Sequence, residues 1–255
     1  MTQPLILHGM NSPNVTKVVL MLEECGLDYE LRHVAVFKQE QFAPEFLALN
    51  PLGKVPVLQD PQHGVTLAES GAILHYLAER EGKFLPASQP ATLAARAEVM
   101  QWLFMQMANY GPLLGQLNHF RLVLASGTHP YAEARYAAAA EKLYRLLDEH
   151  IAQQYENGRE WIAGGDYSIA DMAMQPWANY LEPHGFDSAQ FRALVRWRAA
   201  VASRPAVQRA LARSHEGFTA IAEATRKAAS GEDLDKFFGR TDSVPPADFS
   251  AVVKM

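Results

Sequence analysis

The sequence predicts an α/β domain with a mixed sheet and the element order βαβαββα, followed by an all-α helical bundle. Two observations predict this order. Up to about residue 82, short apolar runs alternate with segments of helical periodicity. From residue 92 to about 225, long stretches rich in alanine, leucine and aromatic residues repeat with helical periodicity and contain no convincing strand pattern.

The first three elements are a strand, a helix and a strand. Residues 5–8 and 29–36 are short apolar runs of the kind that form strands. Between them, residues 14–25 repeat apolar side chains with a period near 3.6. These residues predict a β-α-β unit, and a short helix is expected after it over residues 44–49.

A hairpin and a helix complete the first domain. Residues 55–59 and 65–68 are strand-like, and the His63-Gly64 pair between them is typical of a turn. A helix then begins at residues 69–70, carries Ile73 and Leu77 on one face, and ends near Gly82.

The run Leu-Pro-Ala-Ser-Gln-Pro at residues 85–90 breaks helical periodicity twice and predicts a linker. We therefore expect a first domain over residues 1–86, a helical domain over 87–226 and a C-terminal tail over 227–255. The tail mixes Gly, Asp, Ser and Pro with the apolar anchors Phe237, Phe238 and Phe249. It is expected to lie over the surface or to be partly disordered.

The composition excludes several classes of protein. The 255 residues are 49% hydrophobic, which is enough for real cores, and the net charge of -5 with scattered basic residues argues against a nucleic-acid partner. The single cysteine, Cys25, rules out an intrachain disulfide. The N-terminal residues do not resemble an export signal, and no apolar run is long enough to span a membrane. These observations predict a cytoplasmic protein with no membrane partner.

The Val55-Pro56 pair stands just before a strand of the small sheet, where a proline is unfavourable unless it takes the first position. A cis bond here turns the backbone N–H and C=O of Val55 outward, where an extended peptide can pair with them. For an isolated X-Pro bond, the ordinary trans loop is the common outcome. The neighbouring motifs favour the cis form.

Glu69 and Ser70 stand where the last strand runs straight into a helix. Ser70 is expected to be the N-cap, and the first-turn N–H groups and positive helix end favour a carboxylate. Glu69 offers a negative charge to an ammonium group. A ligand with both groups on one carbon, attached to an extended peptide, satisfies these residues and Val55-Pro56 together; the alternatives are a plain helix cap and a solvated surface acid.

Together these motifs and the helical remainder resemble the cytosolic glutathione transferases, over residues 4 to about 215, and within them the bacterial Nu class. The residues that carry the resemblance are Ser12-Pro13-Asn14, Gln41-Phe42-Ala43-Pro44-Glu45-Phe46, Val55-Pro56, Glu69-Ser70-Gly71-Ala72-Ile73-Leu74, Gln101-Trp102-Leu103-Phe104, Gly111-Pro112-Leu113-Leu114-Gly115-Gln116, His119-Phe120 and Pro130-Tyr131-Ala132. The resemblance implies a thioredoxin-like first domain, glutathione as co-substrate, no metal, and a two-fold homodimer with helical-domain contacts.

The loop after the first strand is where the thiol of glutathione is expected, because the positive end of the first helix points there. This loop contains no tyrosine and no cysteine, so hydroxyl and amide donors remain. We expect Ser12 to donate its hydroxyl to the thiolate and Asn14 to donate a second hydrogen bond or to cap the helix. The Nu-class pattern has threonine where this chain has Ser12.

Other candidates follow from the resemblance or from position. Gln41 and Lys54 are expected to bind glutathione, Lys54 at its glycine carboxylate, and Arg135 occupies a position where the resembled class supplies a basic contact. His119 and Arg121 are expected to reach over the cleft to a second-substrate pocket. For His119, Arg121 and Arg135 the alternative is a surface or core role.

Two further residues have structural alternatives to a catalytic role. Cys25 lies late in the first helix, where the negative helix end raises a thiol pKa, so it is a poor nucleophile. Ser168 and Asp171 have the spacing of a capping box, and we interpret them as structural.

The resemblance implies thiol activation with disulfide reduction, and with hydroperoxide reduction or conjugation to a small electrophile alongside. Two bound glutathione molecules can exchange through a disulfide without a protein cysteine. The alternatives are a non-catalytic glutathione-binding or regulatory protein, and a glutathione-dependent lyase or ether-cleaving enzyme. In the last case Trp102, Phe104 and Tyr110 are candidates for an aromatic pocket.

Overall fold

The computed structural model describes residues 3–125, 127–240 and 248–249. The strands are β1 (Leu5–Gly9), β2 (Tyr29–His33), β3 (Val57–Asp60) and β4 (Val65–Ala68). The helices are α1 (Pro13–Cys25), α2 (Pro44–Leu47), α3 (Ser70–Glu81), α4 (Leu93–Met105), α5 (Gly111–Asn118), α6 (Pro130–Glu156), α7 (Ile169–Ala178), α8 (Arg192–Ala202), α9 (Pro205–Ser214), α10 (Ala220–Lys227) and α11 (Gly231–Phe237). The predicted order βαβαββα followed by helices is confirmed.

The four strands form one mixed sheet in the order β2-β1-β3-β4. β1 runs parallel to β2, with Leu7 opposite Leu31, and antiparallel to β3, with Leu7 opposite Leu58. A parallel pair requires a crossover, which α1 supplies, whereas β3 and β4 are joined by the predicted hairpin. Gly64 in that turn has a φ of 65°, which glycine adopts without strain. This is the thioredoxin-like arrangement that the resemblance implies.

Two predicted strand boundaries are wrong. β2 ends at His33 because β1 ends opposite it at Gly9, and the chain then enters a 3₁₀ turn at Val36–Lys38. β3 begins at Val57 and not at residue 55, because Pro56 has no N–H to donate to the sheet.

Helices α4 to α9 share one buried apolar cluster with the sheet. α1 contacts α3, α7 and α9. Trp197, Tyr110 and Tyr144 are among the largest fully buried side chains. α3 ends at Glu81 and α4 begins at Leu93, so the predicted linker residues 85–90 contain no helix or strand. α1 is therefore covered along most of its length, and this places its first turn between the two halves of the molecule.

The predicted capping box at the start of α7 is confirmed. The fully buried carboxylate of Asp171 accepts hydrogen bonds from the amide of Ser168 (3.0 Å), the amide of Ile162 (3.1 Å) and Nε1 of Trp197 (2.9 Å). Burial raises the pKa of Asp171 to about 6, although these bonds oppose the shift. Asp171 thus joins the start of α7 to the preceding loop and to α8.

The C-terminal segment packs its aromatic anchors against the first domain and against the segment that follows α5. The ring of Phe237 lies 4.7 Å from that of Phe37, and Phe238 stacks on Phe249 at 4.6 Å between ring centroids. The predicted tail residues 241–247 and 250–255 lie outside the described residues. Across the described ranges, no helix is long and apolar enough to cross a bilayer.

Candidate active site

A cavity of about 470 Å³ lies between the edge of the first domain and the helical domain. The first domain lines it with Asn14, Lys17, Asn50, Lys54, Val55, Pro56, Glu69 and Ser70. The helical domain lines it with Gln106, Met107, Gly111, Pro112, Gly115, Gln116 and Trp177. The structure therefore brings together six of the residues predicted from the sequence: Asn14, Lys54, Val55, Pro56, Glu69 and Ser70.

The Val55-Pro56 bond is cis, as predicted. Because sheet pairing starts at Val57, the backbone of Val55 lies outside the ladder and at the cavity. Asn50 stabilises the turn before it: its side-chain amide donates to the carbonyl of Lys54 (2.7 Å), and its oxygen accepts from the amide of Leu52 (3.1 Å). This wall of the cavity offers main-chain groups to an extended ligand.

The prediction that Ser70 is the N-cap is wrong. Glu69 occupies the cap position with a φ of 69°, and its side chain makes no capping bond, so Ser70 is the first helical residue. A positive φ at a non-glycine residue is unfavourable and is found at ligand sites more often than elsewhere. Since no side chain caps α3, its first amide groups remain available to a ligand anion.

Ser12 caps α1 and Asn14 lies at the cavity, while the predicted hydrogen bonds of both residues to a thiolate stay predictions. Ser12 is the N-cap of α1 and accepts a hydrogen bond from the amide of Val15 (3.4 Å), and it does not line the cavity. Asn14 lines it, and its Oδ1 accepts from Nε1 of Trp177 (3.0 Å). The indole thereby fixes the amide of Asn14, and the Nδ2 donor of that amide is left for a ligand.

Lys17 is a cavity residue that the sequence reasoning missed. Its side chain is only 1% exposed, and its Nζ donates to Oε1 of Gln106 (2.7 Å) and to Oγ of Ser70 (3.4 Å). Burial lowers the pKa of Lys17 to about 7, and the nearby charge of Glu69 opposes the shift. One signal was present in the sequence: Lys17 is the only charged residue in the otherwise apolar or small run 15–22.

Comparisons with known families agree with this geometry. The model of the glutathione S-transferase N-terminal domain matches residues 11–80, and that of the C-terminal domain matches residues 110–205. Together these ranges span more than half of the chain.

The chain belongs to the glutathione S-transferase family. It is 41% identical over 216 residues to the disulfide-bond oxidoreductase YfcG of Escherichia coli K12, which covers 83% of this chain and 96% of that protein. This relative confirms the resemblance to the Nu class.

Two solved structures of glutathione transferases are similar in fold and sequence. A family member from Pseudomonas fluorescens, solved with two glutathione molecules bound, has a TM-score of 0.71 and 38% identity, and the match covers 82% of this chain and 92% of that one. A transferase from Pseudomonas putida, solved with one glutathione disulfide per subunit, has a TM-score of 0.71 and 37% identity, covering 82% and 90%.

Besides Ser12, four predicted site residues of this transferase lie outside the cavity. Gln41 is buried, with 2% of its surface exposed, beneath the loop that carries Gly53. Arg135 is exposed on α6. Nε of Arg121 donates to Glu133 (2.9 Å) and its Nη1 donates to the carbonyl of His184. Contact of Gln41 or Arg135 with glutathione stays a prediction.

His119, the fourth of these residues, lies in an aromatic cluster of this transferase and not at the cavity. Its ring centroid is 5.1 Å from those of Phe120 and Phe238, and burial lowers its pKa. The tail that supplies Phe238 was expected to lie over the surface or to be partly disordered, and no sequence pattern indicates that its aromatic anchors cover His119. A role for His119 and Arg121 in a second-substrate pocket stays a prediction.

Cys25 is remote from the chemistry of the cavity. It is the last residue of α1, and burial raises the pKa of its thiol to about 11, with the charge of Glu81 adding to the shift. A thiol with this pKa is almost entirely protonated at neutral pH. The expectation that Cys25 is a poor nucleophile agrees with this environment. Across the described residues, no cluster of three or more metal-ligating side chains occurs.

Proposed function

We propose that this transferase ionises the thiol of glutathione beside Asn14 and uses the thiolate to reduce disulfides. The observation that supports this most directly is the composition of the cavity wall. A backbone edge at Val55, an uncapped helix start at Ser70 and an amide donor at Asn14 all line one cavity, and the chain's single cysteine does not. The redox thiols must therefore come from the substrates.

The cavity fits an extended γ-glutamyl tripeptide. The first amides of α3 suit the γ-glutamyl carboxylate, and the carboxylate of Glu69 suits the ammonium group on the same carbon. The main chain of Val55 suits the peptide, and Lys54, exposed at the cavity rim, suits the glycine carboxylate. These contacts direct the thiol toward the first turn of α1.

The first turn of α1 supplies what a thiolate needs. A free thiol has a pKa of about 8.5, so only a few per cent is ionised at neutral pH. The positive end of a 13-residue helix and the Nδ2 donor of Asn14 both stabilise the anion. Ser12 accepts a bond from the α1 backbone with its oxygen, and its hydroxyl proton stays free to donate as well.

Disulfide reduction then takes two thiol–disulfide exchanges. The first glutathione thiolate attacks one sulfur of the substrate disulfide, forms a mixed disulfide and releases the other half, which takes up a proton. A second glutathione thiolate attacks the glutathione sulfur of the mixed disulfide and releases the remaining substrate thiol and glutathione disulfide. The two relatives with bound glutathione or its disulfide support this scheme. The same thiolate can reduce hydroperoxides or add to electrophiles.

The proposal is tested with purified protein, glutathione and a small dialkyl disulfide, with glutathione disulfide production coupled to NADPH consumption by glutathione reductase. Turnover above the uncatalysed exchange rate is expected. Calorimetric binding of glutathione without turnover of any disulfide, hydroperoxide or electrophile would favour a non-catalytic binding protein.

Replacing Cys25 with alanine tests whether the protein's own thiol takes part. We expect kcat/KM for disulfide reduction to stay within about twofold of wild type, because the Cys25 thiol is protonated and outside the cavity. The same coupled assay measures it. A loss of tenfold or more in correctly folded Cys25→Ala protein would contradict the mechanism.

The homodimer that the resemblance implies has a candidate surface. A groove of about 630 Å³ between α3 and α4 is lined mainly by apolar residues, together with Glu69, His75 and Glu79, and its Phe104 is 63% exposed. Large exposed apolar surfaces of this kind mark interfaces. In a two-fold dimer, the Phe104 of each copy enters the groove of the other. Met107 lines both the groove and the cavity, so this interface would adjoin the active site.

The change Phe104→Glu tests this interface. Because a charge would be buried against apolar side chains, we expect sedimentation velocity to show a monomer where wild type is a dimer. Leu211→Glu is the control, since Leu211 is a 43% exposed apolar residue on α9, away from the groove. If both variants remain dimeric, the groove is not the interface.

A further inference from the structure

Lys17 is a buried lysine with no acidic partner within ion-pair distance among the described residues. Its two hydrogen-bond partners, Ser70 and Gln106, are neutral. An isolated buried charge is strongly unfavourable, and proteins normally pair it or neutralise it. Lys17 has no such acidic partner among the described residues, and it lines the candidate active site.

The charged groups on the helices that pack against α1 do not compensate Lys17. The charge that acts on it is that of Glu69, just before α3. The remaining charged side chains on these helices each have a hydrogen-bond or ion-pair partner other than Lys17. They are His75, Glu79, Arg80 and Glu81 of α3, Asp171 of α7, and Arg204, Arg209 and Arg213 beside or on α9. The free space beside Lys17 is the cavity.

We infer that Lys17 is an anion-binding residue, whose ammonium group is the counter-charge for the γ-glutamyl carboxylate of glutathione at the start of α3. This inference rests on the proposed function and deepens it. The amides of α3 and the Ser70 hydroxyl bind the carboxylate directly, while Lys17 supplies a full charge behind them. Helix-end amides alone carry only partial charges.

Ser70 and Gln106 set the direction of these donors. Because the Ser70 oxygen accepts from Lys17, the hydroxyl proton of Ser70 points elsewhere. It donates to Sδ of Met107 (3.7 Å), a weak acceptor that a ligand oxygen can replace. Gln106, from the helical domain, accepts from Lys17 through Oε1, and its buried Nε2 has no hydrogen-bond partner among the described residues. A buried donor left without a partner is unfavourable unless a ligand or water satisfies it.

Binding should therefore be coupled to proton uptake. In the free protein Lys17 has a pKa of about 7, so it is largely neutral above that pH. A carboxylate nearby raises the pKa, so the ligand-bound lysine is protonated. Consequently the affinity of the protein for glutathione should fall by about tenfold or more as pH rises from about 7 to 9.

The experiment is isothermal titration calorimetry with S-methylglutathione, whose blocked thiol cannot itself ionise. Titrations at pH 7.5 in two buffers of different ionisation enthalpy give the protons exchanged. Wild type should take up more than about half a proton per site. Lys17→Met should bind on the order of 10- to 100-fold more weakly, with almost no uptake. Lys142→Met, an exposed lysine on α6, is the control and should match wild type.

Thermal unfolding separates a binding role from a structural one. Since methionine has a similar length and no charge to bury, the melting temperature of ligand-free Lys17→Met should equal or exceed that of wild type. A destabilised variant that binds normally would overturn the inference. So would wild-type binding without proton uptake, which is decisive even if the variant fails to fold. If wild type does not bind S-methylglutathione or glutathione at all, the proposed function itself fails.

Discussion

Asn14→Ala is expected to lower kcat/KM for glutathione-dependent disulfide reduction by about 10²-fold, the usual loss when one donor to a developing anion is removed. Asn14 is the amide donor of the first turn of α1 that lines the cavity, and Trp177 fixes its orientation from the other domain. The coupled disulfide assay measures the loss. The pKa of the bound thiol, followed by the ultraviolet absorbance of the thiolate, should rise toward its free value.

Asn11→Ala is the matched control for this prediction. Asn11 lies in the same loop but is exposed, and its side chain contacts Thr219 (3.4 Å) outside the cavity. It should retain wild-type activity. Ser12→Ala should lose less than Asn14→Ala, because Ser12 caps the helix and does not line the cavity. Equal activity of Asn14→Ala and wild type would remove Asn14 from the mechanism.

Asp171→Ala is expected to have the largest effect on stability, a loss of about 3–5 kcal/mol in the free energy of unfolding. The substitution leaves the amides of Ile162 and Ser168 and the indole of Trp197 buried without their acceptor. Denaturant unfolding measures it. Because burial raises the folded-state pKa of Asp171 to about 6, above its unfolded value, its contribution is full below about pH 4 and decreases as pH rises through 6. The difference from wild type should therefore be greater at pH 5 than at pH 7.

Asp233→Ala is a matched control that the chain itself provides. Ser230 and Asp233 form a second capping box with the same spacing at the start of α11, but this one is exposed. Its loss should change the unfolding midpoint little, because water can replace the carboxylate. If the two aspartate variants are equally stable, burial does not explain the importance of Asp171.

Local motifs were the part of this molecule that could be predicted. The Val55-Pro56 corner, the Glu69-Ser70 junction and the Ser168 capping box each depend on residues adjacent or three apart. Their physics is therefore visible in a short stretch of sequence. Even there, the predicted cap residue of α3 was wrong. The backbone of Glu69 adopts a positive φ, which a side-chain pattern does not reveal.

Long-range contacts explain what the sequence did not reveal. Lys17 meets Ser70 and Gln106 across 53 and 89 residues, and Trp177 meets Asn14 across 163. No periodicity encodes such pairs. The orientation of Asn14 at the cavity depends on its bond from Trp177, and the importance of Lys17 depends on its bonds to Ser70 and Gln106.

Two of the hydrogen bonds that cross between the domains, both at the cavity, also bear on how such a protein can diverge. Lys17 donates to Gln106, and Asn14 accepts from Trp177. The helical domain therefore orients two polar side chains of the first domain at the cavity. Recombination that replaced one domain with that of a distant relative would separate both hydrogen-bonded pairs at once. Gln106 and Trp177 must therefore be retained together with Lys17 and Asn14. New substrate preferences are more readily acquired by substitutions at the other cavity residues of the helical domain.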